Sequence, residues 1–494
     1  VSGTPSRPPA SWRDDLVVTA SAVVPLALLL VREHQVAGAA GFPLDDSWIH
    51  LHFARNLAEG AGFAYNPGTP VAGSTAPLWT LLLGAASALL GPSLWTAKAL
   101  GIAGAAGAAV LTRRAAIAWS TPRGPALAAA VAMVWSGPIA WGALSGMEVT
   151  LAAALVAAAL LAHARDRAAW TALAAALAVL ARPEALILVP LLAVARPGGV
   201  RRVAVFLVIT GAVLAPAVWF NVATVGSPVP ATAAAKVEGG VLGWLAGVPE
   251  PLWRLLIGRP WEFALAWLRW LFTVNWLLPI ALVPGVWLAW QRGGRALGIV
   301  TLALVAHPLG MAWLAPYRDP AFQEGRYSIQ LLPLAFLLVA VVFGAVRWRR
   351  VGAVAVLLCA LAPLWGAADR YAWGVQNINA MQVHLGQWVR ANVPASARIA
   401  LNDIGAIAYM SRRPVIDLMG LVTPDIIPYR RQGEAGVIRY VAERCPDYVI
   451  VFPTWFPQLT ARPALEPIYR VRLERNLVSG GPEMVVYRVT CCPI

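Results

Sequence analysis

Two adjacent carboxylates, Asp45 and Asp46, come shortly after the first long apolar stretch, Leu16–Val31. They open an amphipathic run, Asp45-Asp46-Ser47-Trp48-Ile49-His50-Leu51-His52-Phe53-Ala54-Arg55-Asn56. Pro43 before it and Gly60 after it bracket a helix of about four turns. Helical spacing puts Asp45, Ile49, His52, Phe53 and Asn56 near one face, with Asp46 and His50 on an adjoining one. A carboxylate can take a proton from a hydroxyl as a general base, and at a membrane–water boundary it would do so beside lipid-borne molecules. The plainer alternative is structural: Asp45 caps the helix and Asp46 complements its dipole.

The elements that must position this pair are mostly apolar. The chain has 494 residues, 59% hydrophobic and 13% charged, whereas a soluble chain carries about a quarter charged residues. Many runs reach the roughly 20 residues that span a bilayer, so this is a polytopic membrane protein. Its net charge of +15 is mostly arginine spread through loops. The positive-inside bias explains that distribution, and no nucleic-acid partner is expected. Cys359, Cys445, Cys491 and Cys492 form no framework, and no structural disulfide is expected. Arg7 and Arg13 precede the first apolar run without a convincing cleavage site, and Arg32-Glu33 follow it, which predicts an uncleaved first helix.

Eleven candidate spans are read at 16–32, 93–111, 125–141, 148–164, 168–181, 185–196, 203–221, 263–290, 297–315, 328–346 and 351–368. Arginines group at 113–114, 123, 165–167, 196–202, 292–295 and 347–350. Putting these groups in the cytoplasm places the loops 33–92, 222–262 and 316–327 outside, together with everything from 369 to 494. The stretch 77–90 then lies in the outer interface or re-enters, and Arg182-Pro183-Glu184 breaks the pair 168–181 and 185–196 into two short helices. Residues 1–15 form a cytoplasmic tail and 16–368 the membrane domain. Residues 369–494 read as a small α/β domain: helix 379–391, strand 397–402, strand 414–418, helix 434–444, strand 447–452, and strands near 467–473 and 484–489.

Several short pieces share an order and spacing with a known family. Leu44-Asp45-Asp46, Phe53-Ala54-Arg55-Asn56-Leu57-Ala58-Glu59-Gly60-Ala61-Gly62-Phe63, Tyr65-Asn66-Pro67-Gly68 and Pro77-Leu78-Trp79 resemble the first outer loop of type-C (GT-C) membrane glycosyltransferases. The look is nearest to the branch of mycobacterial terminal arabinofuranosyltransferases, with lipid A aminoarabinose transferases and protein mannosyltransferases as more distant cousins. Gly146-Met147-Glu148, Arg182-Pro183-Glu184, Gly226-Ser227-Pro228-Val229-Pro230 leading to Lys236, and Gly325-Arg326-Tyr327 continue the resemblance. So do Asp403-Ile404-Gly405-Ala406-Ile407 and Val415-Ile416-Asp417-Leu418-Met419-Gly420-Leu421. His50 and His52, where aromatic or basic residues are usual, and Ala231-Thr232, where Asn-Thr is usual, depart from the pattern at positions that bear on sugar and acceptor contacts.

The resemblance implies a GT-C transmembrane fold of about eleven helices with an extracytoplasmic α/β domain, in a bacterial cytoplasmic (inner) membrane. It implies an inverting enzyme that moves a sugar from a polyprenyl-phosphate donor to a glycan, lipid or protein acceptor on the outer face. Asp45 matches the family's base and Asp46 stands beside it. Displacing a phosphate needs one base and no general acid, unlike glycoside hydrolysis, and cations must steady the departing phosphate. Lys236, one of only two lysines in the chain, and Arg326 at the same membrane depth suit that task, with snorkelling as the bland alternative. Glu148, an acid at the outer start of an apolar helix, is a functional candidate because such a charge is costly unless paired or facing a cavity. Arg55, His50 and Tyr327 complete the expected donor- and substrate-binding set. His50, His52, His307 and His384 make no metal constellation. No cofactor or metal is therefore expected, although Asp45–Asp46 leaves room for a divalent ion. The rivals are a transporter or flippase of lipid-linked sugars and a membrane-anchored glycan-binding protein. The first tends to carry charges near the bilayer midplane, and the second needs neither so many spans nor the acidic pair.

Overall fold

The computed structural model describes residues 11–237, 239–245, 247–248, 250–314 and 317–492. Among these, six helices are long and apolar enough to cross a membrane alone: Trp12–Ala37, Leu94–Ala118, Gly199–Val225, Leu278–Leu314, Phe322–Ala345 and Arg349–Asn392. Arg123–Trp135 and Gly137–Leu144 make a seventh if their 56° bend is counted within one span. Pro77–Leu90, Val149–Ala164, Ala168–Ala181 and Pro183–Val194 are shorter apolar helices. Short helices of this kind persist at membrane depth where neighbouring protein satisfies their ends.

Besides 125–141, which bends at Ser136, a second expected span divides. The stretch 263–290 is two helices, Arg259–Val274 and Leu278–Thr301, separated at Asn275. Asn275 is fully buried and extended. Its Oδ1 accepts the Leu277 N–H and its Nδ2 donates to the Val356 carbonyl. Hydropathy sees an unbroken apolar run; a single side chain that competes with the backbone ends the helix.

Charges pin the first helix at both ends. Asp14 and Asp15 take hydrogen bonds from Arg113, Arg114 and Arg123. At the other end Glu33 accepts from Lys98 at 2.8 Å, and Lys98 also reaches the Tyr371 hydroxyl. Lys98 has no exposed surface, so losing either partner would leave a buried charge, at a cost of about 3–5 kcal/mol.

The terminal domain carries a five-stranded sheet in the order β2-β1-β3-β5-β4, from β1 Ile399–Leu401, β2 Val415–Asp417, β3 Tyr448–Val451, β4 Leu465–Arg472 and β5 Glu483–Val489. β1 is parallel to β2 and β3, and β5 runs antiparallel to β3 and β4. Helix Glu434–Arg444 falls at its expected limits. The short helix Gly405–Ser411, between β1 and β2, was not anticipated. The helical stretch Arg349–Asn392 runs from the membrane part into the domain.

One correction follows from register. Cys445 and Cys492 form a disulfide with a Cα–Cα distance of 6.1 Å, contrary to the expectation of none. Tyr448 of β3 lies opposite Arg488 of β5, which brings the residues just before β3 and just after β5 to the same end of the sheet. The loop 33–92 packs against the terminal domain. Ile49, Phe53, Tyr65 and Val71 share one core with Met381, Leu385, Ile399 and Ile407 of the terminal domain.

Candidate active site

Asp45 and Asp46 begin a helix, Asp45–Ala58, whose residues Ser47 to Asn56 are all buried. An isolated amphipathic helix would leave one face in water. This one lies between Pro77–Leu90 on one side and Gly405–Ser411 on the other. Asn56 Nδ2 donates to the Ala64 and Tyr65 carbonyls, folding the following loop back on the helix. His52 Nε2 lies 2.9 Å from the Tyr65 carbonyl. Burial and the nearby Arg55 depress His52 to about 3, so the ring is neutral.

The two carboxylates face different partners. Asp45 accepts the backbone N–H groups of Gly405 and Ala406, each at 2.7 Å, and so caps the short helix of the terminal domain. Gly405 is required there, since a Cβ would overlap the Asp45 carbonyl. Burial and the neighbouring Asp403 raise Asp45 well above the ordinary carboxylate range, against the pull of those two N–H groups. Asp403 accepts from Gln382 Nε2 at 2.8 Å, and burial lifts it to about 6.

Asp46 accepts from Arg326 at 2.8 Å and keeps 36% of its side chain exposed. Burial pushes its carboxyl up, but the Arg326 guanidinium and the Lys236 ammonium outweigh that and hold it down to about 2. Lys236 ends the short helix Ala231–Ala235 and sits 5.4 Å from the Tyr317 ring centroid. Arg326 also donates to the Tyr327 hydroxyl at 3.0 Å. Its Nε is buried and has no hydrogen-bond partner among the described residues, nor does Thr232 Oγ1 on the Lys236 helix. The turn that presents Arg326 depends on Gly325, with φ of 76°, where a Cβ would strike Trp270.

From Arg326 a continuous polar chain runs inward. The Tyr327 ring has the Arg326 guanidinium at 5.0 Å and that of Arg182 at 4.8 Å. Arg182 donates to Glu148 at 2.5 Å and to Glu184 at 2.8 Å. The other Glu148 oxygen lies 3.3 Å from His50 Nε2, and His50 Nδ1 lies 3.2 Å from the Thr80 hydroxyl. The fold thus gathers Asp46, Lys236, Arg326, Tyr327, Glu148 and His50 into one cluster and adds Arg182, which the sequence marked only by its place in a broken apolar run and in the resembling piece Arg182-Pro183-Glu184.

Arg55 is not brought to it. Its guanidinium donates to the Tyr409 carbonyl at 2.7 Å and lies 4.5 Å from that ring, so it serves the seam with the terminal domain. Asn66 serves the same seam. It exchanges two hydrogen bonds with Val415 of β2. The Tyr65 hydroxyl donates to the Ile404 carbonyl. Asp417 is fully buried, and its carboxylate gathers the N–H groups of Met419 and Val422. Burial raises it to about 6 in spite of them. No group of three or more His, Cys, Asp or Glu side chains arranged to hold a metal occurs among the described residues.

The architecture matches solved structures over nearly its whole length. ArnT from Cupriavidus metallidurans bound to undecaprenyl phosphate superposes with a TM-score of 0.64 at 12% identity, covering 95% of this chain and 98% of that one. The apo form of the same protein gives 0.60 at 13% identity, over 96% and 99%. The oligosaccharyltransferase of Archaeoglobus fulgidus gives 0.57 at 14% identity, over 96% of this chain and 73% of the other. The fold is therefore that of the GT-C membrane glycosyltransferases, a multi-pass helical domain carrying a small C-terminal sheet domain. Residues 376–487 match a family model described as a domain of unknown function, DUF8728. No curated protein matches by sequence.

Proposed function

We propose that the chain is an inverting glycosyltransferase that uses a polyprenyl-phosphate sugar donor. The observation that carries this reading is the meeting of Asp46, Arg326 and Lys236 beside the partly buried Asp45, on a fold shared with an ArnT that holds undecaprenyl phosphate. Asp45 takes the proton from the acceptor hydroxyl. Two of its roughly four lone-pair sites are used by N–H groups, which leaves others free, and its raised pKa suits a base working near neutrality. The acceptor oxygen attacks the anomeric carbon as the bond to the phosphate oxygen breaks, and the phosphate leaves with that electron pair. Arg326 and Lys236 stabilise the charge that develops on it. Asp46 holds the two cations in place until the donor arrives. Such a site supplies positively charged contacts for a phosphate and one carboxylate for a proton.

The site belongs outside, with loops 33–92, 222–262 and 316–327 and the domain 369–494, in a bacterial inner membrane. The Cys445–Cys492 disulfide supports that placement, because such bonds persist in oxidising compartments. The acceptor is a glycan, lipid or protein of the envelope, and the sugar is a pentose or a hexose. The test is transfer by purified protein from defined polyprenyl-phosphate sugars. Turnover that survives Asp45→Asn and Arg326→Gln together would overturn the reading.

A further inference from the structure

A second charged site lies at the opposite ends of the helices. A cavity of about 730 Å3 is lined by Trp119, Ser120, Arg165, Asp166, Arg196 and Arg292, among others. It sits past the C-terminus of Val149–Ala164, about 24 Å along that helix from Glu148 at its other end.

Among the described residues only Arg196 of these arginines helps finish a helix, its Nη2 donating to the Ala164 carbonyl at 3.2 Å; Arg165 and Arg292 are not needed for that. Ser120 and Asp166 adopt left-handed backbone, with φ of 62° and 54°. The N–H groups of Thr121 and Arg167 close back on the Ala116 and Ala162 carbonyls, each at 3.0 Å. The charges do not balance either. Asp166 is the one carboxylate in the lining, and Arg202 at 3.2 Å and Arg196 at 3.7 Å already share it. Arg165 and Arg292 have no carboxylate partner among the described residues, and the buried Arg196 Nε has there no contact shorter than its 3.7 Å ion pair with Asp166. Four guanidiniums thus meet one carboxylate.

The cavity has an apolar neighbour. A groove of about 330 Å3 shares Arg165 and continues over Leu111, Ala158, Leu161 and Trp170, between the helices Leu94–Ala118 and Val149–Ala164. Trp170 is 65% exposed. An arginine cluster leading into an apolar groove on a membrane helix has the chemistry of a phosphate head and an acyl tail.

We propose that this cleft binds an anionic phospholipid of the leaflet opposite the acidic pair. Its headgroup phosphate lies among Arg165, Arg196 and Arg292, and one acyl chain lies in the groove beside Leu111 and Trp170. Guanidinium forks match phosphate oxygens bidentately, and basic pockets between membrane helices take such headgroups. A soluble phosphate would satisfy the arginines but leave the groove without an occupant. The assignment does not depend on sugar transfer, so either can fail alone.

Native mass spectrometry of the full-length protein in detergent, titrated with phosphatidylglycerol, phosphatidylcholine or inorganic phosphate, tests it. Wild type should prefer phosphatidylglycerol over phosphatidylcholine by about tenfold, and Arg165→Gln/Arg292→Gln should reduce that preference to about twofold. Both positions are exposed. Should the double variant melt early, Arg165→Gln alone should still lose about half of the preference on a logarithmic scale. Trp170→Ala should weaken long-chain phosphatidylglycerol more than a short-chain form. An unchanged headgroup preference in the arginine variants would overturn the proposal. Inorganic phosphate displacing the lipid at comparable concentration would overturn it too, by making the cleft a site for soluble anions.

Discussion

Replacing Asp45 by Asn tests the base assignment, and the structure sets the size of each effect. Removing a general base slows turnover by about 10²–10⁴-fold, or roughly 3–5 kcal/mol of barrier. The structural cost is smaller. Asp45 accepts two N–H groups, from Gly405 and Ala406; Asn keeps one acceptor and turns a donor toward the other. Losing a hydrogen bond to a charged group costs about 1.5–3 kcal/mol. That loss is partly offset, because burial and Asp403 already disfavour the ionised form. The net change in stability should therefore be about 1 kcal/mol, well below the barrier effect. Melting temperature and initial rate with a saturating polyprenyl-phosphate sugar, measured on one preparation, separate the two. The pH profile adds a check of sign. A base with a raised pKa loses activity as pH falls through that raised value, so the acid limb should lie above the ordinary carboxylate range. Asp403→Asn removes a repelling charge and should move that limb to lower pH. Near wild-type turnover by Asp45→Asn, or an acid limb that Asp403→Asn leaves in place, would refute this reasoning.

Neutralising Arg326 or Lys236 should raise the apparent KM for donor by about tenfold with a smaller loss of kcat; unchanged donor kinetics in both would make them interfacial anchors. Gly405→Ala forces a Cβ against the Asp45 carbonyl and should cost about 1–3 kcal/mol of stability as well as activity, read as a lowered melting temperature. Asp417, raised to about 6 by burial, binds its proton more tightly when folded. Its contribution should therefore be fully present below the unfolded value near 4 and lost as pH rises through about 6, and Asp417→Asn should flatten that part of the stability profile. Cysteines placed at Thr69, Gly239 and Arg462 should react with an impermeant reagent in intact cells. Reaction only after the membrane is broken would turn the site to the cytoplasm.

Hydropathy and local chemistry made much of this protein legible before its structure. Apolar runs such as 93–111 and 328–346 are helices because a bilayer leaves the backbone few alternatives, and Leu94–Ala118 and Phe322–Ala345 appear where those runs lie. Turn residues and alternation placed helix 434–444 and the strands 448–451 and 483–489 within a few residues. The acidic pair, Glu148, Lys236 and Arg326 stood out because charge beside apolar sequence is expensive.

Only tertiary structure decided what those charges meet. The bonds from Asp45 to Gly405 and from Asp46 to Arg326 span 360 and 280 residues, and no period in the sequence encodes a contact of that reach. The Asn275 break, the Cys445–Cys492 bridge and the turning of Arg55 toward Tyr409 have the same origin. Each depends on which neighbour the packing supplies to a side chain with several possible partners. Local sequence thus determined the elements and the presence of costly charge. The difference between Asp45 and Asp46, one capping a helix end and the other paired with Arg326 near the charge of Lys236, arose only when the loop 33–92 and the terminal domain closed around a shared core.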